Sequence, residues 1–379
     1  VSKVKPAFVS ELAVKARNEF KLRHVPLLLM RELARKSALK AEDLNAVINR
    51  PDEMSEFISL YWKDGKQPLS NQVKKGLATA FKGFSEYSLA KWDKNSAAVS
   101  LRDVMFLTHP KPDNEAQAEL FKRIANKEMA TPDTWETELS AGADKKATFT
   151  RLMNEGKLGG LAFLRNLRNM DQAGVDSGQI RTYGAVVNVD RVLPFRFIAA
   201  ARIVPQYEDM LEQMMFRATA GMGKLPGKTK LYVDVSSSMY YIPVSEKSDL
   251  TRQDASLALA ILCRELCENV EIYSFSGKSL RIAPRRGFAL VEAICNSQKH
   301  GGTYLGQAIK QIDAKTKYDR VVVITDEQSS DLPPKPQGLG YLLNVGSYQN
   351  GVNHSAWTTI TGFSEAVFNY MHALEQQNS

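Results

Sequence analysis

The chain has 379 residues, 44% hydrophobic and 24% charged, with 50 Lys and Arg against 42 Asp and Glu. No apolar run approaches the ~18 residues of a membrane span, and the opening VSKVKPAFVSELAVK lacks the apolar core of a secretory signal. Three Cys (Cys263, Cys267 and Cys295) form an odd, low set that argues against a disulfide scaffold and for a reducing, cytoplasmic setting.

Residues 1–227 hold 35 Lys and Arg against 27 Asp and Glu, which is the whole net charge of +8; residues 228–379 hold 15 of each. Such asymmetry favours a polyanion partner for the first part. Up to about Met222 the apolar spacing is helical. FVSELAVKARNEF, VPLLLMRELARKSAL, VKKGLATAFKGF, AELFKRIANKEM, KATFTRLMNEG and LAFLRNLRNM each read as amphipathic helices. Thr131-Pro132 reads as an N-cap followed by proline at the first helical position. In LAFLRNLRNM, Leu161, Leu164 and Leu167 share the apolar face, while Arg165 and Arg168 lie on another. Short helices joined by short turns predict stacked antiparallel pairs, an α-solenoid, although no clean repeat is present. Trp62, Trp92, Trp135 and Trp357 are read as core residues, and Lys74 and Lys75 as a solvated face.

GKLPGKTK (223–230) reads as a linker. Beyond it strands alternate with helices: KLYVDV, RQDASLALAILCRELCE, VEIYSFS, a short strand near SLRIA, FALVEAICNS, TYLGQAIKQIDAK, DRVVVIT, GLGYLLNVG and a closing helix FSEAVFNYMHALEQ. This pattern predicts a parallel sheet covered on both faces, whose ligands bind beyond the carboxyl ends of the strands. Cys263 and Cys267 sit four apart in a predicted helix and are expected to be small core side chains.

Asp234 ends the first strand, with Ser236 and Ser238 after it; Thr303 starts a helix after Gly301 and Gly302; Asp326 ends a later strand. One edge of the sheet thus collects two carboxylates and three hydroxyls without His or Cys. That is a hard-oxygen set suited to Mg²⁺, and also to Mn²⁺ or Ca²⁺. The plainer alternative is a set of strand ends capped by Asp and Ser. The chain has no GxxxxGK[ST], GxSxG or HExxH, and no nucleophile with a matching base, so it is expected not to be an enzyme.

DVSSSM, GGT and ITD, in this order, resemble the metal-ion-dependent adhesion site of von Willebrand factor A domains. The resemblance implies that Asp234, Ser236, Ser238, Thr303 and Asp326 hold one divalent metal. The helical part resembles a second family. In GLATAFKGFSEYSLAKWDKNSAAVSLRDVMFLTHPKP (76–112), the pieces LAKW, LRD and THPKP are similar to a segment of the Ro autoantigen, or TROVE-domain, proteins. LAFLRNLRNM and LPFRFIAAARIV resemble two further helices of that family, whose LAKW position usually carries Tyr rather than Trp. The resemblance implies a TROVE domain over 1–222 and an A domain over 231–379, with HEAT-like helical repeats closed into a ring.

It also implies a function. Y-RNA-like small noncoding RNA would bind the outer basic surface, and single-stranded 3′ ends of misfolded or tailed RNA would enter a central hole. An exoribonuclease is the expected protein partner, and a monomer the expected state. Lys91, Lys94, Arg102, His109 and Lys111 fall on the segment that matches the RNA-binding surface. Arg165 and Arg168 are the candidates for the hole. A different class of function stays open beside it: a metal-dependent protein-interaction scaffold built on the A domain and the helical repeats.

Overall fold

The computed structural model describes residues 4–93, 98–190, 192–244, 250–313, 316–346, 356–362 and 366–377. The chain divides into two compact units, Val1–Thr137 and Glu138–Ser379.

The first unit is helical: α1 (Pro6–Asn18), α2 (His24–Arg35), α3 (Ala41–Val47), α4 (Pro51–Tyr61), α5 (Asn71–Lys82), α6 (Glu86–Trp92), α7 (Leu101–Thr108) and α8 (Glu115–Asn126). Spacing dictates the buried faces. In α2 these are Leu27, Met30, Leu33 and Ala34; in α5 they are Val73, Leu77, Ala80 and Phe81. Ser70, Ser85, Ser100 and Asn114 end the connecting turns, and each side chain accepts from a first-turn backbone N–H. One apolar core runs from Val9 to Ile124. A buried ion pair crosses it, with Arg17 Nη2 2.6 Å from Glu53, whose carboxylate also accepts the Asn49 and Arg50 N–H groups.

A short helix, α9 (Trp135–Ser140), follows. Its start corrects the Thr131-Pro132 cap. Thr134 and Thr137 exchange N–H···Oγ1 bonds at 3.2 and 3.3 Å, so Thr134 satisfies the first turn and the helix opens three residues beyond Pro132.

The second unit begins with α10 (Lys145–Asn154), α11 (Gly160–Gln172), α12 (Ser177–Val186), α13 (Pro194–Ile203) and α14 (Glu208–Ala220). The buried face of α11 is Phe163, Leu164, Leu167 and Met170 together with Asn166. Leu161, expected on that face, is 42% exposed, because Phe163 and Met170 fill the inner side of the helix instead.

Next come β1 (Leu225–Asp234), α15 (Ser237–Tyr240), α16 (Arg252–Leu266), β2 (Cys267–Phe275), β3 (Ser279–Arg281), α17 (Gly287–Cys295), α18 (Leu305–Asp313), β4 (Arg320–Thr325), β5 (Leu339–Asn344), β6 (Thr358–Thr361) and α19 (Val367–Gln377). The strand β1 overturns the linker reading of 223–230. Its residues Lys228–Lys230 pair with β2, and the Lys230 ammonium, on a buried stem, bonds to the Thr316 carbonyl at 3.0 Å. The sheet order is β3-β2-β1-β4-β5-β6, and every pairing is parallel except β2 with β3. The strand β6 was not foreseen. α13 packs against α11, α14 and α16, so the last helices of the array belong to the same compact unit as the sheet.

Candidate functional site

The strand order reverses between the parallel neighbours β1 and β4, because β1 leads outward to β2 on one side while β4 and β5 lie on the other. The crevice beyond such a switch is where open parallel sheets bind ligands. Asp234 closes β1 there, and Asp326 follows β4. Both are fully buried. Asp234 Oδ1 accepts the Ser236 N–H at 2.9 Å, and Oδ2 accepts the Thr325 hydroxyl at 2.7 Å. Burial pushes the Asp234 carboxyl up to about 6, against the pull of these bonds, and the charge of Asp326 adds to the rise. Ser236 Oγ and Ser238 Oγ lie 3.2 Å apart.

The glycine loop joins them. The Ser237 N–H bonds to the Gly301 carbonyl, Ser276 Oγ bonds to the Gly302 carbonyl, and Thr303 is buried beyond. Among the described residues no three His, Cys, Asp or Glu are grouped to hold a metal ion. The expected set contains only two carboxylates, so such a cluster is not required of it.

Two features of this edge were not read from the sequence. Arg252, the first residue of α16, sends Nη1 to Asp326 Oδ2 at 2.6 Å with its side chain only 3% exposed. Glu327 follows Asp326 at φ +61°, and burial raises its carboxyl above the usual range. The signal for Arg252 was present: Thr251 and Asp254 form a capping box that fixes where α16 starts. Its partner lies 74 residues away, which no local pattern reveals. Asp254 in turn pairs with Arg202 of α13.

The basic candidates lie in the two units separately. In the first unit six of the seven arginines are already neutralised, all but Arg102. Arg17, Arg23, Arg31, Arg35, Arg50, Lys82 and Arg123 all pair with carboxylates. Arg123 bonds bidentately to Glu86 and holds that carboxyl below its ordinary range. Lys91 and Lys111 are exposed, and no carboxylate among the described residues pairs with either. Lys91 Nζ stands 5.8 Å from the Tyr87 ring centroid. Arg102 Nε donates to the Ala125 carbonyl at 2.7 Å, and its guanidinium lies 4.9 Å from the Phe106 ring centroid. Arg102, Phe106 and His109 recur at i, i+4 and i+7 along α7. His109 is exposed and closes that helix in the left-handed region, at φ +49°. Lys94 lies outside the described residues. In the second unit Arg165 and Arg168 are both exposed on α11, and no carboxylate among the described residues pairs with them.

The tryptophans correct the core reading. Only Trp357 is buried; Trp62, Trp92 and Trp135 are half-buried. Arg50 lies 3.9 Å from the Trp92 ring and Lys66 Nζ 5.1 Å from the Trp62 ring, so polar partners hold the outer faces of both. Cys263 and Cys267 are buried as expected, with Sγ atoms 3.7 Å apart, but Cys267 opens β2 rather than sharing the helix. No helix among the described residues is long and apolar enough to cross a membrane.

Residues 122–254 match the TROVE domain. Telomerase protein component 1 of Mus musculus is 25% identical over 233 residues, or 57% of this chain; the chain spans 8% of that relative's length. The crystal structure of the Deinococcus radiodurans RO (RSR) protein superposes with a TM-score of 0.72 at 20% identity, over 98% of this chain and 92% of that one. The chain therefore shares the mixed helical and α/β fold of that protein along nearly its whole length.

Proposed function

We propose that this chain is a Ro-like, TROVE-family RNA-binding protein and not an enzyme. In this reading it binds Y-RNA-like small noncoding RNA on the basic surface of its helices and acts in noncoding RNA quality control, maturation or decay. The observation that carries it is the selective charge pattern. Where six of the first unit's seven arginines are locked to carboxylates, Arg102 is held by a carbonyl and a ring, and Lys91, Lys111, Arg165 and Arg168 stay exposed with no carboxylate partner among the described residues. Phosphates supply the missing anions, and His109 offers a ring to a base.

The helical repeats and an A domain over 231–379 would close a ring, with single-stranded 3′ ends passing through its hole near Arg165 and Arg168. Such a chain would hand RNA to an exoribonuclease as a monomer. Asp234, Ser236, Ser238, Thr303 and Asp326 would hold Mg²⁺, with Mn²⁺ or Ca²⁺ as substitutes. The fit rests on their chemistry: oxygen donors only, two hydroxyls 3.2 Å apart, and a carboxyl whose burial as an anion is costly until a cation arrives. Arg252 offsets the charge of Asp326, which leaves the charge of Asp234 for the cation to neutralise. The ion would order the loops or hold a partner's carboxylate.

A salt titration of RNA affinity tests the RNA reading. Lys91→Ala and Arg165→Ala should each weaken binding and lower the magnitude of the log–log slope by about 0.7–0.9. Arg165→Ala should matter more for RNA with a single-stranded 3′ tail than for a blunt duplex. His109→Ala should weaken binding with little change of slope. Wild-type slopes and affinities in all the folded variants would move the metal-dependent protein scaffold ahead.

A further inference from the structure

A cleft of about 680 Å³ opens in the first unit between the turn after α4 and the outer face of α7. Trp62, Lys66 and Pro68 line one side, and Val99, Asp103 and Phe106 the other. None of these was singled out above as a ligand-binding residue. Each wall carries an aromatic ring with a cation on it: Lys66 Nζ 5.1 Å from the Trp62 centroid, and the Arg102 guanidinium 4.9 Å from that of Phe106.

The Trp62 ring is fixed in place. Trp62 Nε1 donates to the Gln67 carbonyl at 2.7 Å, and its inner edge packs on the helical core. Phe106 projects from α7, one helical turn beyond Arg102, and is 48% exposed. Single exposed apolar side chains are common, and Phe106 differs in lining a cleft with Trp62 while a guanidinium stands over its ring. The two cations differ in freedom. Arg102 is tethered through Nε to the Ala125 carbonyl, which leaves its other N–H groups for a phosphate. Lys66 is exposed and meets no carboxylate among the described residues. Its contact with the Trp62 face is weaker than base stacking, so a base can displace it. Asp103 keeps phosphates away from its own part of the cleft. Its carboxylate is held below the usual range by the Ser100 hydroxyl and N–H, and stays charged.

We infer that this cleft takes a single unpaired nucleotide of an RNA strand, its base against Phe106 and Trp62 and its flanking phosphates at Lys66 and Arg102. The inference rests on the RNA reading above and adds a second base-dependent contact, beside the His109 ring, to a surface otherwise held by charge.

Octa-adenylate and an abasic octamer of the same charge are the probes, with a hairpin RNA as reference and the full chain as the protein. Phe106→Ala should lower octa-adenylate affinity about 5- to 150-fold at unchanged salt slope, leave the abasic octamer unaffected, and be rescued by Phe106→Tyr. Lys66→Ala should lower the slope by about 0.7 for both octamers. Trp62→Ala risks the fold, so Trp62→Phe serves in its place and should keep most of the affinity. The inference is overturned if the wild type binds both octamers equally, or if folded Phe106→Ala binds octa-adenylate as the wild type does. An octaglutamate peptide that displaces octa-adenylate, and whose own binding Phe106→Ala abolishes, would reassign the cleft to an acidic protein segment. Hairpin binding with its normal slope beside an indifferent cleft would sink this inference and leave the RNA reading standing; loss of all RNA binding by the wild type would sink both.

Discussion

At the scale of single residues, Asp234 and Arg252 set what the sheet edge can do. Asp234 titrates near 6 in the folded chain, above its unfolded value of about 3.9, so folding favours its protonated form. The penalty is absent below about pH 4 and grows as pH rises through 6, to roughly 2–3 kcal/mol. In EDTA, Asp234→Asn should therefore raise Tm over the wild type at pH 8 and scarcely at pH 4.5. Added Mg²⁺ should stabilise the wild type more at pH 8 than at pH 5 and do nothing for the variant. Thermal melts at those pH values check both, and equal shifts at each pH would remove Asp234 from the proposed metal site. Arg252 gives the opposite case. Arg252→Met leaves Asp326 as a buried charge without its cation, a loss of about 3–5 kcal/mol. The double change with Asp326→Asn should recover much of it, as read by urea denaturation.

At the scale of elements, close approach decides more than propensity does. Gly76 lies inside α5 where that helix crosses α3, and an added Cβ would stand 2.8 Å from the Ala41 carbonyl and 3.0 Å from Leu44 Cβ. In an isolated helix Gly→Ala gains about 1 kcal/mol. Here overpacking costs about 1–3 kcal/mol, so Gly76→Ala should be neutral to destabilising, visible as a lower urea midpoint. On α7, Ser100 and Asp103 form a complete capping box. Ser100→Ala should cost about 1 kcal/mol and loosen the helix that carries Arg102, Phe106 and His109. A drop in Tm together with weaker RNA binding is the expected pair of results.

At the scale of the whole molecule, charge and metal chemistry are segregated along the chain. The net charge of +8 comes entirely from residues 1–227, while the proposed metal ligands all lie beyond them. Asp234→Asn should thus abolish Mg²⁺ stabilisation and leave RNA affinity and its salt slope at wild-type values; a large loss of RNA affinity would show that the metal site and the RNA surface are coupled. The sequence by itself determined whatever depends on neighbours along the chain. Helical periodicity marked six of the fourteen α-helices described in 1–222, and alternation of strands with helices marked the parallel sheet. Asp234, Ser236 and Asp326 were legible because a strand end is a local event. Local patterns failed at the margins: the linker proved to be β1, and the Thr131-Pro132 cap gave way to Thr134. What only the tertiary structure decided is pairing between distant segments. Which cations are spent on carboxylates, that Arg252 meets Asp326, and that Trp62 and Phe106 face one cleft all depend on side chains brought together by packing, and packing leaves no periodic trace in the sequence.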